Sequence, residues 1–302
     1  MSGDHVLGDW GTSRLRLYRM RGGAVTARLQ GPGIGGLADP PTAVLTGLLE
    51  HWLQEGSLAG GVTLCGMAGA KGALIEAGYA PCPAGRGSWL QSRSMLTVAG
   101  LTVAVLPGLS HRGTDGVADV MRGEETQVFG AMALHPGLAA GEHLIALPGT
   151  HCKWVRLKDG DVTGFSTWPT GELFALLSEQ STLAGPDDGG SGEFDEGFAR
   201  GLARRGDPVP AALFEARAAR MVDGRSQAWS RGYLSGVLIG SEMSALSPQD
   251  TAVTLIGEAA LVSLYERALA AMGRAVQHVD AEAAVIAGLE LARRAAQGEQ
   301  IA

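Results

Sequence analysis

The chain has 302 residues, with 24 basic and 31 acidic side chains and a net charge of −7. That length suits one large or two medium domains, and the acidic balance argues against a nucleic-acid surface. Residues 1–20 contain no apolar leader core, and no stretch of about 18 uncharged apolar residues occurs, so neither secretion nor a membrane span is expected and the protein is placed in the cytoplasm. Cys65, Cys82 and Cys152 are odd in number and far apart, which reads as reduced thiols rather than a disulfide framework or a zinc site.

In chain order, the apolar strand His5–Trp10 runs into the turn Gly11-Thr12-Ser13. Two further strands follow, Arg14–Tyr18 and Val25–Leu29, joined at Gly22-Gly23. The run Gly31-Pro32-Gly33-Ile34-Gly35-Gly36 formally matches G-x-G-x-x-G. A dinucleotide site is rejected there, because Pro32 removes a donor, no helix opens from the loop and no acid ends a following strand. A loop beside the active site, or a plain flexible loop, remains. Thr42–Glu55 has helical spacing of apolar residues, Gly61–Gly66 reads as a buried strand, and Glu76–Pro83 reads as a loop within reach of a small substrate. Leu101–Leu106 is a strand stopped by Pro107-Gly108, and Ser110–Val120 is polar. Asp119–Ala131 reads as a helix with Asp119 as its N-cap and Arg122 on the same face, placed to steady an ionised Asp119.

A second unit repeats the first. Strand Leu144–Leu147 meets Pro148-Gly149-Thr150-His151, then Lys153–Leu157, the turn Asp159-Gly160, and Val162–Ser166. Thr170 reads as the N-cap of a helix carrying Leu173, Phe174, Leu176 and Leu177. Ala184–Glu196 is loop-like, and its Asp187-Asp188 pair reads as solvated turn rather than metal site. Helices at Leu213–Arg217 and Tyr233–Leu246, strand Ala252–Ile256, a helix from Ala259 to Met272, strand Ala275–Val279 and a last helix from Asp280 complete the chain. Gly257 places backbone N–H groups at a helix start, a common ligand edge, with plain packing as the competing reading.

A glycine–threonine turn between strands offers backbone donors and a hydroxyl where no side chain blocks approach, which suits an anionic phosphate. One such turn alone is more simply an ordinary hairpin. Two in matched units favour a polyphosphate clamp. Asp9 precedes only the first turn, and one acid suits Mg²⁺, whose other positions phosphate and water fill.

Six blocks carry a resemblance. They are Asp9-Trp10-Gly11-Thr12-Ser13-x-Leu15-Arg16, Glu76-Ala77-x-Tyr79, Asp119–Gln127, Pro148–Val155, Thr170–Leu177 and Leu234–Glu242. In order and over nearly the whole chain, these resemble the 2-dehydro-3-deoxygalactonokinase family. Cys152 stands where a Ser is usual, Pro169 where an apolar residue is usual, and Gly78 interrupts the usual Glu-Ala-Pro-Tyr run.

The resemblance implies an α/β fold of two similar ribonuclease-H-like, actin-like ATPase domains, 1–135 and 136–302, with a nucleotide cleft between them. It implies ATP-dependent phosphorylation of 2-dehydro-3-deoxy-D-galactonate at its terminal 6-hydroxyl in galactonate breakdown. Asp9 would reach Mg²⁺, Gly11, Thr12 and Ser13 would form the first phosphate motif, and Gly149 and Thr150 the second. Gly257 falls at the adenosine loop and Asp119 where related kinases carry the catalytic base. Glu76, Tyr79 and Arg122 fall near the sugar acid. For its carboxylate Arg14 is preferred over Arg16, against a solvated charge stripe on an edge strand. The expected partners are ATP and a small sugar acid, with a homodimer compatible, and neither nucleic acid nor membrane. The gluconate epimer as substrate, or a sensor that binds without turnover, are the alternatives. An oxidoreductase rests only on the glycine run at 31–36.

Overall fold

The computed structural model describes residues 3–56, 58–186 and 193–296. Strands β1 (His5–Trp10), β2 (Arg14–Arg21) and β3 (Ala24–Pro32) form an antiparallel meander, as the hairpin signals require. Helix α1 (Pro41–Glu55) starts on a proline and buries Leu45, Leu49 and Trp52, one stripe at helical spacing. Strand β4 (Val62–Gly66) is buried throughout and runs parallel to β1. Then come β5 (Tyr79–Pro81), α2 (Arg86–Gln91), β6 (Ser94–Val98), β7 (Leu101–Val105), β8 (Gly108–Arg112), β9 (Ala118–Met121) and α3 (Glu124–Leu134). The first sheet has the order β3-β2-β1-β4-β7-β6, and β5-β8-β9 form a small separate sheet.

The second half opens with β10 (Glu142–Leu147), β11 (Cys152–Lys158) and β12 (Asp161–Trp168), followed by α4 (Thr170–Glu179), α5 (Phe194–Leu202), α6 (Val209–Leu213), α7 (Glu215–Asp223) and α8 (Gln227–Met243). It ends with β13 (Ala252–Gly257), α9 (Ala259–Ala270), β14 (Ala275–Asp280) and α10 (Ala281–Ala296). The sheet order is β12-β11-β10-β13-β14, with β13 parallel to β10. The two large sheets share one plan. The first strand is central, its hairpin partners lie on one side and a later parallel strand lies on the other.

By contacts the chain forms two compact units that interleave in sequence. One is Met1–His143, Val155–Ser166 and Val279–Ala302, and the other is Leu144–Trp154 and Thr167–His278. A single division near residue 135 therefore does not describe the contacts, because α10 packs on α3, β1 and β4. A Cβ on Gly130 would fall 1.8 Å from the Ala284 carbonyl oxygen, and one on Gly288 2.0 Å from that of Thr126, so these helices touch backbone to backbone. His5 Nε2 of β1 also meets Glu290 Oε2 of α10 at 2.9 Å. The first unit's core joins Val6, Trp10, Leu15 and Leu17 to Leu45, Leu49, Trp52 and Leu64. A core of the second joins Leu144, Trp154, Ile239, Leu255 and Tyr265.

Three expectations change. The polar segment before residue 120 is the β8/β9 hairpin, and Asp119 sits in strand β9 opposite His111. The helix begins only at Glu124, after Gly123 at φ 110, so Asp119 is not its N-cap. The 76–83 loop contains the short strand β5, paired parallel to β8. Strand β6 escapes the sequence reading because its turn is Ala99-Gly100, with Ala99 at φ 50. The Asp187-Asp188 pair lies outside the described residues.

Candidate active site

In the first unit, β1 buries five of its six residues and leaves Asp9 alone partly open. Asp9 is the last residue but one of the strand, at its carboxyl edge, where ligands gather in open α/β sheets. Its Oδ2 lies 3.6 Å from Arg16 Nη1, and the Cys65 thiol of β4 donates to Oδ1 at 3.9 Å. Burial pushes the Asp9 carboxyl above its ordinary value, Arg16 pulls it down, and the charge of Glu124 pushes it up again. A bound cation would reverse that balance.

Thr12, Ser13 and Arg14 are exposed at the turn that follows. Gly11 N donates to Arg14 O at 2.8 Å, closing the hairpin. The glycine run is the wall of this turn: Ile34 N donates to Gly11 O at 3.0 Å and Gly35 N to Thr12 O at 2.9 Å. Trp10 Nε1 donates to Pro32 O at 3.1 Å. The run thus supports the first turn rather than a dinucleotide. Arg14 and Arg16 share one face of β2, which has β1 and β3 on either side and is not an edge strand. With Arg16 paired to Asp9, Arg14 is the more open guanidinium.

Arg122 does not serve Asp119. Its Nη2 donates to Ala77 O at 2.7 Å and Gly78 O at 3.3 Å, and its guanidinium lies 4.2 Å from the Tyr79 ring centre. It therefore holds the Glu76–Tyr79 segment, in which Glu76 and Tyr79 are exposed. Space around Gly78 is open, so the departure from proline leaves the segment undisturbed. Asp119 Oδ1 accepts from Val120 N at 2.7 Å within β9.

Two acids, Glu124 and Glu125, open α3. A Cβ on Gly123 would lie 3.4 Å from Gly66 Cα at the end of β4, beside Asp9. Glu124 follows it, and its Oε2 accepts from Arg122 N at 3.0 Å. Glu125 is fully buried, accepts from Gly123 N at 2.7 Å, and is pushed up to about 8 by burial and by the charge of Glu124. Their only sequence signal was two acids in a helix's first turn, which the dipole explains without chemistry.

In the second unit, Thr150 and His151 are exposed and Gly149 is half-buried between β10 and β11. Beyond its chain neighbours, no protein atom lies within 4 Å of a Cβ position on Gly149, so packing does not demand glycine there and a phosphate could approach. Gly171 does the opposite: a Cβ on it would fall 2.5 Å from Gly149 O. Glu172 N donates to Thr150 O at 3.0 Å, and its carboxylate meets His151 Nε2 at 2.7 Å. The start of α4 is thus laid against the second turn. Gly257 is packed too, with a Cβ position 3.1 Å from Val262 Cγ2 and 3.4 Å from Pro148 O, just before α9. Buried Lys153, which donates to His151 O at 3.2 Å, is a cation behind the turn that the sequence reading passed over.

Within the first unit, one partly open carboxylate beside a glycine–threonine turn suits in kind a cation that keeps several waters. Within the second, Gly149-Thr150 offers donors without obstructing side chains. Among the described residues no helix is long and apolar enough to cross a membrane, and Cys65, Cys82 and Cys152 are free thiols.

A solved structure of a protein assigned as a 2-dehydro-3-deoxygalactonokinase from Sinorhizobium meliloti is similar to this chain at 37% identity and TM-score 0.85, covering 97% of this chain and 99% of that one. An activator of 2-hydroxyisocaproyl-CoA dehydratase from Clostridium difficile, solved with bound ADPNP, shares the fold at TM-score 0.52 and 10% identity over 99% of both chains. Among curated proteins, "Probable 2-dehydro-3-deoxygalactonokinase DgoK1" of Rhizobium meliloti is 39% identical over 97% of this chain and 98% of its own length. The 2-dehydro-3-deoxygalactonokinase of Escherichia coli is 32% identical over 96% and 97%. A family model described as 2-keto-3-deoxy-galactonokinase matches residues 9–292, and the chain belongs to that family of sugar-acid kinases.

Proposed function

We propose that this protein transfers the γ-phosphoryl group of Mg²⁺-ATP to the 6-hydroxyl of 2-dehydro-3-deoxy-D-galactonate, in the cytoplasm, as a step of galactonate breakdown. The observation that carries this reading is Asp9, the last residue but one of a buried central strand, two residues before the Gly11-Thr12 turn. Family membership and the repeat of that turn at Gly149-Thr150 support it.

Phosphoryl transfer is mostly positioning and electrostatics, so few groups suffice. Backbone N–H groups and hydroxyls of Gly11, Thr12 and Ser13, and of Gly149 and Thr150, would bind phosphate oxygens. Asp9 would hold Mg²⁺ through water, and the ion when bound offsets charge on those oxygens. The segment at Gly257 would border the adenosine. Arg14 would take the sugar acid's carboxylate, with Glu76 and Tyr79, steadied by Arg122, bordering its hydroxyls.

The proton of the attacking hydroxyl goes to a carboxylate. Asp119 has that role by resemblance. One observation favours Glu124 instead: it follows Gly123 against the end of β4, and its charge acts on Asp9. Losing a general base costs about 10²–10⁴-fold in rate. Of Asp119→Asn and Glu124→Gln, the one that binds ATP normally and falls by that factor identifies the acceptor.

The reaction is tested by coupled ADP release with Mg²⁺-ATP and four conditions: the galactonate-derived acid, its gluconate epimer, glycerol, and no acceptor. Release with the first acid alone is expected. Preference for the epimer renames the substrate. Nucleotide binding without acceptor-dependent release would overturn the kinase reading in favour of a sensor.

A further inference from the structure

The block Leu234–Glu242 has no role in the reaction as derived, yet it ends on a carboxylate with no solvent exposure in the middle of the second unit. Glu242 of α8 accepts from Trp154 Nε1 on Oε2 at 2.7 Å and from the Tyr265 hydroxyl on Oε1 at 2.6 Å. The Thr170 hydroxyl donates to the same Oε1. Burial pushes the Glu242 carboxyl up, and these three hydrogen bonds pull it back toward the ionised form. An acid satisfied in this way is expensive to bury, and an apolar side chain of similar size would pack at lower cost. Such a group can instead specify one arrangement of the segments it joins.

What it arranges is legible from where its partners sit. Trp154 is the third residue of β11, which leaves the second glycine–threonine turn. Thr170 is the first residue of α4, directly before Gly171, whose Cβ position lies 2.8 Å from Thr150 Cα. Tyr265 is on α9, the helix that follows Gly257, and Gly257 packs against Pro148. One carboxylate therefore reaches, through one side chain each, the three segments that bracket Pro148–His151. The Thr170 hydroxyl is spent on Glu242 and caps no backbone N–H of its own helix, which corrects its reading as an N-cap.

We propose that Glu242 is a positioning residue for the second phosphate turn, acting through Thr170 to hold the start of α4 against Gly149 and Thr150. This rests on the kinase reading only in taking that turn to meet phosphate; the ordering of the turn is a property of the ligand-free protein.

The test uses Thr170→Val, which keeps the side-chain shape and removes the hydroxyl, with Thr170→Ser as the rescue and Glu242→Gln as the partner variant. Amide hydrogen exchange of the ligand-free full chain is read together with steady-state constants. In Thr170→Val, exchange is expected to quicken at residues 149–152 and 170–173 while β13 keeps its protection. The KM for Mg²⁺-ATP should rise roughly tenfold, as for a lost hydrogen bond to a charged group. The KM for the sugar acid should hold and Thr170→Ser should restore both. Adding Glu242→Gln to Thr170→Val should cost much less than Glu242→Gln alone, because the two act through one contact. Unchanged exchange at 149–152 in Thr170→Val overturns the proposal whatever the activity. Loss of protection spread evenly through the unit, or equal rises in both KM values, overturns it in favour of plain structural support. Wild-type protein without turnover would sink the kinase reading and leave the exchange result to decide this one. If Glu242→Gln does not fold, the threonine pair decides.

Discussion

A Cβ on Gly33 would fall 2.2 Å from the carbonyl oxygen of Thr12. The glycine run at 31–36 is therefore pressed against the turn Gly11-Thr12-Ser13, and the turn's shape depends on it. Gly33→Ala forces the turn to move, since backbone cannot yield as a flexible side chain can. Overpacking of this kind costs about 1–3 kcal/mol. The expected outcome is a lower unfolding midpoint and a KM for ATP raised by at least about tenfold. A thermal melt and an ATP titration check both; a normal KM would mean that the turn is not part of the nucleotide site.

Glu125 makes stability depend on pH. Burial raises its carboxyl from 4.5 to about 8 in the native protein. Between those values the native state binds a proton that the unfolded chain has lost. Its contribution is therefore full below the unfolded value and declines as pH rises toward about 8, by up to about 1.4 kcal/mol per pH unit. Urea midpoints of ligand-free protein should fall across that window. Glu125→Gln should flatten the profile and be relatively more stable at the alkaline end. A parallel fall in the variant would assign the slope to other groups.

Arg122 ties the Glu76–Tyr79 segment through two backbone carbonyls and a stacked ring. Arg122→Ala should free that segment, raising the KM for the sugar acid about tenfold while the KM for ATP holds. Arg122→Lys should recover little, because lysine lacks both the planar fork and the stacking face. Steady-state titration of each substrate separates the two, and equal effects on both would refute the local role.

The repeat of strand, turn and hairpin was legible because period-two alternation and Gly-Gly or Asp-Gly turns are local signals. So was Asp9, an acid interrupting an apolar strand. Arg122 was misassigned because helical spacing put it near Asp119, whereas Gly123 breaks the chain direction and the strand β9 lies before it. The interleaving of α10 with the first unit, and the meeting of Trp154, Thr170 and Tyr265 at Glu242, join residues far apart in sequence. Periodicity carries no information on such pairings, and a buried acid on α8 reads locally as a solvated one.

A substitution at Gly149 tests folding and function separately. The φ of Gly149 is not positive, and beyond its chain neighbours no protein atom lies within 4 Å of where a Cβ would stand. Gly149→Ala should therefore leave the unfolding midpoint unchanged within about 0.5 kcal/mol, the ordinary range for a substitution that meets nothing. If phosphate approaches this face, the added methyl occupies its path. Backbone donors then no longer reach the phosphate oxygens, and loss of one such donor costs about 10²–10³-fold in kcat. A variant that melts like wild type and has lost turnover by that factor would locate the phosphate at the second turn. Wild-type turnover with an unchanged midpoint would remove Gly149 from the site, whatever the rest of the chain does.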